Sequence, residues 1–118
     1  MAKISLEPLA DIEGFRAAAL VDSDSGLMMM GEGGDGDLEL AAAGNSEVLK
    51  AKRRINKALN LNDRIEDILI SMGKHYHLIR PLERNDKLFL YLILDRAHAN
   101  LALARHRLRA FEKDLDFS

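Results

Sequence analysis

The chain has 118 residues, of which 47% are hydrophobic and 31% charged, a composition typical of a globular protein rather than a disordered one. Its formal net charge of −2 provides no overall attraction for nucleic acid or an anionic membrane. Cysteine is absent, which excludes disulfides, thiolate nucleophiles and cysteine-based zinc sites. The length predicts a single domain over residues 1–118.

The sequence begins with a predicted short helix over residues 4–13. Leu6, Leu9 and Ile12 recur there at three-residue spacing, and Gly14 is expected to end the helix.

A β-hairpin is predicted next. Two apolar runs, residues 15–21 and 27–30, flank the Ser/Asp/Gly cluster of residues 22–26, which is typical of a hairpin turn. The glycine-rich residues 31–36 that follow are predicted to form a flexible loop.

A long middle helix is predicted to begin near Asp35 or Asp37, either of which can cap it, and to end at residues 60–63. Its acidic residues lie near the front and its basic residues near the back, an order that complements the helix dipole. An apolar stripe at helical spacing is expected to be its buried side: Leu38, Ala41, Ala42, Val48, Leu49, Ile55 and Leu59.

Three strands and a last helix complete the pattern. Residues 87–94 are apolar on both faces, which predicts a central strand, whereas residues 64–71 carry charge in mid-strand, as edge strands often do. Residues 74–80 form the strand between them, and Asp95 is expected to cap a helix running to about Leu115. The order α-β-β-α-β-β-β-α predicts an α/β (α+β) fold, a five-stranded antiparallel sheet with helices on both faces.

This order of elements, together with several segments of sequence, resembles the roadblock / dynein light chain family in its bacterial stand-alone form. The segments are Gly14–Asp22 with Ser25–Leu27, Tyr76–Leu82, Phe89–Arg96 and Ala99–Arg105. The last two are the most specific, because a solid apolar strand ends abruptly in Asp-Arg and leads into an Ala/Leu helix with an early Asn. The resemblance covers nearly the whole chain.

The resemblance implies a dimeric platform in which the middle helices pair and the edge strands join into one continuous sheet. Such proteins bind small Ras-like GTPases or serve as light chains and scaffolds, and some bacterial members act as GTPase-activating partners. The family has no catalytic motif, so we expect no enzyme activity, no catalytic residues and no cofactor. Two features differ from the family: Met28–Met30 is bulkier, and Gly31–Gly36 is richer in glycine.

Two groups of residues are candidates for a homodimer interface. Small residues recur every seven positions on the middle helix, which would let a second helix approach closely. The alternative is that alanine is simply a good helix former at exposed positions. The predicted edge strand supplies the second group. The candidate interface residues are Gly44, Ala51, Ala58, Ile65, Ile68 and Ile70.

Four other patterns favour ordinary structural roles. Residues 31–36 match Gly-x-Gly-x-x-Gly, but the preceding strand belongs to a hairpin and nearby carboxylates would repel a pyrophosphate. Residues 22–26 lack the later glycine and glutamate of a calcium loop. His75 and His77 share a strand face, but nothing places a third zinc ligand nearby. The basic residues within 50–57 wrap around the helix, far from aromatic residues, so we expect no nucleic-acid binding.

The leading hypothesis is therefore a homodimeric regulator or scaffold that binds a small Ras-like GTPase or a signalling complex. A small-molecule-sensing α/β module is the alternative, which an apolar pocket with convergent polar groups would favour. An enzyme is a weaker alternative, which a cleft with strongly shifted pKa values would support. Without a signal-like N-terminus or a long uncharged apolar stretch, we expect a cytoplasmic protein with no membrane contact.

Overall fold

The computed structural model describes residues 5–34 and 36–115, so Asp35 and the first residue of the predicted helix 4–13 lie outside the described residues. A 3-10 helix, Glu7–Asp11, precedes the regular elements. These are β1 (Phe15–Asp22), β2 (Met28–Gly33), α1 (Leu38–Ala58), β3 (Ile68–Ser71), β4 (His75–Pro81), β5 (Leu88–Asp95) and α2 (Leu101–Lys113).

The five strands form one antiparallel sheet in the order β2-β1-β5-β4-β3. The two sequence predictions about strand position are confirmed, because β5 lies in the centre and β3 at an edge. Side chains of β5 alternate between the faces: Leu90 and Leu92 join the core on the α2 side, and Phe89 and Tyr91 join the core on the α1 side.

The α2 side of the sheet is fully closed. Ala104 and Leu108 of α2 and Leu9 of the 3-10 helix are buried against the strands. A buried ion pair reinforces this contact, with Arg80 Nε of β4 donating to Glu112 Oε1 of α2 at 2.7 Å. The second carboxylate oxygen of Glu112 accepts a hydrogen bond from the backbone N–H of Glu83. α2 is thus held by both apolar and charged contacts.

The predicted first helix is a single 3-10 segment, shorter than residues 4–13. The N–H groups of Leu9 and Ile12 bond to carbonyls three residues earlier, as in a 3-10 turn, and Pro8 lies in the first turn where its missing N–H is tolerated. Gly14 then adopts φ +83°, which turns the chain into β1.

The predicted flexible loop is partly a strand. β2 continues through Gly33, which pairs with Ala17 of β1. Gly33 has φ +73°, and a Cβ there would lie 2.6 Å from the Arg16 carbonyl oxygen, so close pairing requires glycine at this position. A register shift earlier in β2 leaves Met29 exposed, while Met28 and Met30 pack on opposite faces.

The predicted edge strand begins at Ile68 rather than at residue 64. The charged residues before it bind α2 instead of continuing the ladder: Asp67 receives two hydrogen bonds from Arg105, at 3.1 and 3.2 Å, and Glu66 binds Arg109 at 2.7 Å. Glu66 and Asp67, whose charge indicated an edge strand, therefore lie just before the first residue of β3.

The last helix begins at Leu101, and its cap lies five residues later than predicted. Asn100 is the cap, and its side-chain oxygen accepts a hydrogen bond from the Leu103 N–H at 3.1 Å. Asp95 instead closes a turn, accepting from the Ala97 N–H and lying 2.9 Å from the His98 ring. The hydrogen bond from His98, followed by that from Ala97, lowers the pKa of Asp95.

Candidate protein-interaction surface

Helix α1 is attached to the sheet mainly by its first half. It lies over β1 and β2, and its buried residues are Leu38, Ala42, Ser46 and Leu49. Its second half is held by polar contacts to loop groups, such as Lys50 Nζ to the Asp24 carbonyl at 2.7 Å. Arg53 donates to the Asp86 carbonyl, also at 2.7 Å. The helix therefore extends beyond the core that it covers.

The predicted buried stripe of α1 was wrong in its second half. Val48, Ile55 and Leu59 are exposed, at 38%, 51% and 62% of their surface, and Leu40 is 76% exposed. These residues lie on the side of the helix away from the sheet. At 100° per residue they occupy one arc of about 100° together with the three small residues predicted from the sequence. We call this arc the outer stripe: Leu40, Gly44, Val48, Ala51, Ile55, Ala58 and Leu59.

The outer stripe is apolar along more than five helical turns, which is unusual for a surface that faces water. Scattered exposed apolar residues need no explanation, but a contiguous exposed apolar patch marks an interaction site. The sequence contained a signal for it, because the apolar residues of the helix, once Leu40 is included, cover more than the predicted stripe of about 140°.

No contact within the described chain requires a glycine at position 44 of the outer stripe. A Cβ at this position would meet no atom within 4 Å. Glycine in a helix interior is about 1 kcal/mol less favourable than alanine. An approaching surface that needs the space above the backbone would explain the glycine.

The three isoleucines predicted from the edge strand lie on the α1 side of the sheet. Ile68 and Ile70 of β3, and Ile65 just before it, are half-buried and pack against the α1-side core. β3 pairs with β4 only, so among the described residues its outer edge has no neighbouring strand. The structure thus puts both predicted groups on the same side of the molecule, the small residues on the helix and the isoleucines near the sheet edge.

A polar group lies on the same side of the sheet, on β4 and β5. The Tyr91 hydroxyl is 3.0 Å from His77 Nδ1, and Arg16, His75, His77 and Ile93 line part of a depression of about 340 Å³ beside it. Burial, and then the charge of His75, lowers the pKa of His77. Burial raises the pKa of Tyr91, an effect that a hydrogen bond from Asn45 partly opposes.

Among residues 5–34 and 36–115, no group of three His, Cys, Asp or Glu side chains could hold a metal ion. The predicted calcium-like segment is a hairpin turn, in which the Asp22 carboxylate accepts the N–H groups of Asp24 and Ser25. These two backbone hydrogen bonds, first from Ser25 and then from Asp24, lower the pKa of Asp22.

The charges beside the outer stripe are separated along α1. Glu47 flanks its first half, and Lys52 and Arg54 flank its second half. Only one ion pair joins the two halves within the described part of the chain, between Lys50 and Glu47 at 3.5 Å. The exposed side of α1 is therefore an apolar line that runs from an acidic end to a basic end.

The sheet order and the long helix between β2 and β3 define a class of protein, the roadblock/LC7 fold. A roadblock/LC7 domain from Streptomyces avermitilis matches with a TM-score of 0.79 at 16% identity, over 91% of this chain and 88% of that chain. Myxococcus xanthus MglB matches with a TM-score of 0.72 at 17% identity, over 84% and 78%. The gliding protein MglB from Thermus thermophilus matches with a TM-score of 0.69 at 17% identity, over 93% and 87%.

The likeness lies in the structure, because no protein-family model matches the sequence and no curated protein matches it. The predicted resemblance and fold class are confirmed at the level of the fold. None of the helices in the described part of the chain is both long enough and apolar enough to cross a membrane.

Proposed function

We propose that the chain is a cytoplasmic, non-enzymatic protein-interaction module. It forms a homodimer through the outer stripe and the β3 edge, and the dimer binds a small Ras-like GTPase or scaffolds a signalling complex. The observation that carries the proposal is the outer stripe itself, an apolar line on a helix whose last buried residue is Leu49.

The charge separation along α1 supports pairing with a second copy. In an antiparallel pair of α1 helices, the acidic half of each copy lies beside the basic half of the other. Two-fold symmetry repeats each of these contacts. A parallel pair would bring like charges together, which opposes binding. The small residues Gly44 and Ala51 near the middle of the stripe would let the two helices approach closely.

The open edge of β3 supports a second contact within the same dimer. An unpaired edge strand presents free N–H and C=O groups that readily pair with another chain. Ile68 and Ile70 are only half-buried on the α1 side, so a partner element across the edge would complete their burial. Helix α1 and the outer edge of β3 would then contribute to one continuous interface.

The fold likeness supports the partner class. Two of the matching structures are MglB proteins, one of them described as a gliding protein, and the family that the sequence resembles includes partners of small GTPases.

Size-exclusion chromatography with light scattering tests the dimer. We expect a native dimer at micromolar concentration and a folded monomer for Ile55→Glu, because a charge in the outer stripe cannot be buried against a partner. Leu103→Glu is the matched control, since Leu103 is a similarly exposed apolar residue on α2. A native monomer, or equal dissociation by both variants, would contradict the proposed interface.

Isothermal titration calorimetry tests the partner. A purified small Ras-like GTPase from the same genome is titrated into the dimer, once loaded with GDP and once with a non-hydrolysable GTP analogue. We expect binding that depends on the nucleotide. Absence of binding in both states, for every such GTPase of that genome, would leave the dimer but reject this partner.

A further inference from the structure

A second feature of the molecule lies at the other end of α1. A cleft of about 720 Å³ opens beneath the C-terminal end of the helix, a volume in the range of small-molecule sites. Its walls are the last turns of α1, the segment that leads toward β3, and Pro81 and Asp86 from the opposite side. Of the residues predicted as functional from the sequence, only Ile65 contributes to it.

The end of α1 shapes the cleft. The Asn60 N–H bonds to the Lys57 carbonyl at 3.1 Å, and the Leu61 N–H bonds to the Asn56 carbonyl at 2.9 Å, which together form a Schellman motif. Asn60 adopts φ +55° at the position where this motif needs a left-handed residue. The chain is thereby reversed, and residues 61–65 face the helix across the cleft.

Three cations line the cleft without a carboxylate partner. Arg53 donates to the Ser23 hydroxyl and the Asp86 carbonyl, and Arg64 donates to the carbonyls of Leu82 and Glu83. Lys57 makes no side-chain hydrogen bond with any described residue. No carboxylate of residues 5–34 and 36–115 lies within ion-pair distance of these three side chains.

Three arginines on the α2 side differ from Arg53 and Arg64 because they have carboxylate partners. Arg80, Arg105 and Arg109 each form an ion pair with a glutamate or an aspartate. The cleft therefore contains cations whose charge no ion pair with a described residue offsets, unlike these three arginines.

The cleft also contains a buried acceptor with no donor. The side-chain oxygen of Asn56 is shielded from solvent and has no hydrogen-bond partner among the described residues. Buried polar atoms in folded proteins nearly always have a partner, and leaving one without a partner is destabilising. Asn56 lines the cleft, so a rotation of its amide would bring this oxygen to an O–H or N–H group of a bound molecule.

We propose that this cleft binds a small polyhydroxylated organic anion, whose phosphate or carboxylate group is held by Lys57 and Arg64. A hydroxyl of the same molecule donates to the Asn56 side chain. Asp63 and Asp86 also line the cleft and would repel a bare anion, but their oxygens can accept further hydroxyl groups. The mixture of cations and acceptors thus favours an anion that carries hydroxyls over a simple inorganic ion.

Nuclear magnetic resonance titration of the ¹⁵N-labelled full chain tests the site with glycerol 3-phosphate, inorganic phosphate and glycerate. Glycerol 3-phosphate should shift the amides of residues 53–65 saturably and bind about tenfold more tightly than inorganic phosphate. Comparison with glycerate decides whether a phosphate or a carboxylate is preferred. Lys57→Gln should weaken binding about tenfold, because one charged hydrogen bond is lost. Lys52→Gln, a change of an exposed lysine of α1 outside the cleft, should leave it unchanged.

Asn56→Leu separates the hydroxyl contact from the charge contact. This variant should keep the affinity for inorganic phosphate and lose the preference for glycerol 3-phosphate. Equal effects of Lys57→Gln and Lys52→Gln, shifts spread over all surface cations, or no saturable shift with either organic anion would overturn the proposal. Because these readouts do not involve the oligomeric state, their failure would leave the proposed dimer unaffected.

Discussion

The two sides of the sheet are closed in different ways. On the α2 side, a 13-residue helix and the 3-10 helix cover a continuous core, and the buried pair of Arg80 and Glu112 links helix to strand. On the α1 side, a helix of 21 residues has only four buried positions, none after Leu49. The length of a helix is therefore a poor guide to how many residues it buries, because the longer α1 buries hardly more residues than the shorter α2.

This difference indicates what each side is for. The α2 side buries most of its apolar residues and pairs Glu112, Glu66 and Asp67 with arginines within one chain, so these residues serve stability. The α1 side leaves an apolar line, an open strand edge and half-buried isoleucines, which a second chain would cover. Substitutions on the two sides should therefore affect different observables.

The largest effect is expected on the closed side. Glu112→Leu removes the 2.7 Å partner of Arg80, which is 3% exposed, and leaves it only a longer contact of 3.6 Å with the exposed carboxylate of Glu83. We expect the free energy of unfolding to fall by about 3–5 kcal/mol, as measured by urea denaturation. The double variant Arg80→Met, Glu112→Leu should recover most of this loss, since two apolar groups then replace the pair. A single variant as stable as the native chain would show that the pair is unimportant.

A comparison within α1 comes next in size. Leu49→Ala creates a cavity in the α1-side core and should lower the free energy of unfolding by about 2–5 kcal/mol. Ile55→Ala removes an exposed side chain and should change the free energy of unfolding of the monomer by less than about 0.5 kcal/mol. Both are measured by urea denaturation at a concentration where the protein is monomeric. Similar losses for both would mean that the outer stripe is structural rather than an interface.

Gly44→Ala should act in opposite directions on folding and on association. Alanine favours the helix, and a Cβ meets no atom of the same chain, so the monomer should gain about 1 kcal/mol of stability. If a second helix packs at this position, the added methyl weakens the dimer, which sedimentation equilibrium measures. Ala43→Gly, at the adjacent exposed position of α1, is the control, because it should destabilise the monomer without strengthening the dimer. A variant that stabilises both monomer and dimer would place the seam elsewhere.

The smallest effect is a pH dependence on the open side. Burial, and then the charge of His75, lowers the pKa of His77 below the usual 6.5, so the unfolded chain binds the proton more readily than the folded one. The free energy of unfolding should therefore be constant above about pH 6.5 and fall as the pH decreases below that value. Denaturation between pH 5 and 8 measures this slope, and His77→Gln should reduce it. An unchanged slope in that variant would assign the dependence to other groups.

Much of the fold could be predicted from local patterns. The two-sided apolar run of β5 placed it in the centre, and the charges of Glu66 and Asp67 placed the following strand at an edge. Element ends were less predictable, because competing partners determine them. Asp95 and Asn100 are both good caps by residue type, but only Asn100 lies where its oxygen can accept the Leu103 N–H.

The candidate site was predictable only in part. The seven-residue spacing of Gly44, Ala51 and Ala58 indicated a helix seam, and in the structure Gly44 and Ala58 are exposed and Ala51 is half-buried. The large apolar residues beside them were assigned to the core, because periodicity shows that residues share a face without showing what the face contacts. The cleft beneath α1 was not predicted, because residues 53–65 form a wall only after the chain reverses at Asn60 and because Pro81 and Asp86 close it from the opposite side.

The sequence by itself determined the elements and their order, because the periods of two and 3.6 residues follow from backbone geometry. It also determined the roadblock-like character of the chain, through the hairpin, the central strand and the helix after it. Only the tertiary structure decided which apolar stripe of α1 faces the sheet, where β3 begins and which cations lack partners. These outcomes depend on contacts between distant segments, where one side chain can satisfy only one of several competing neighbours.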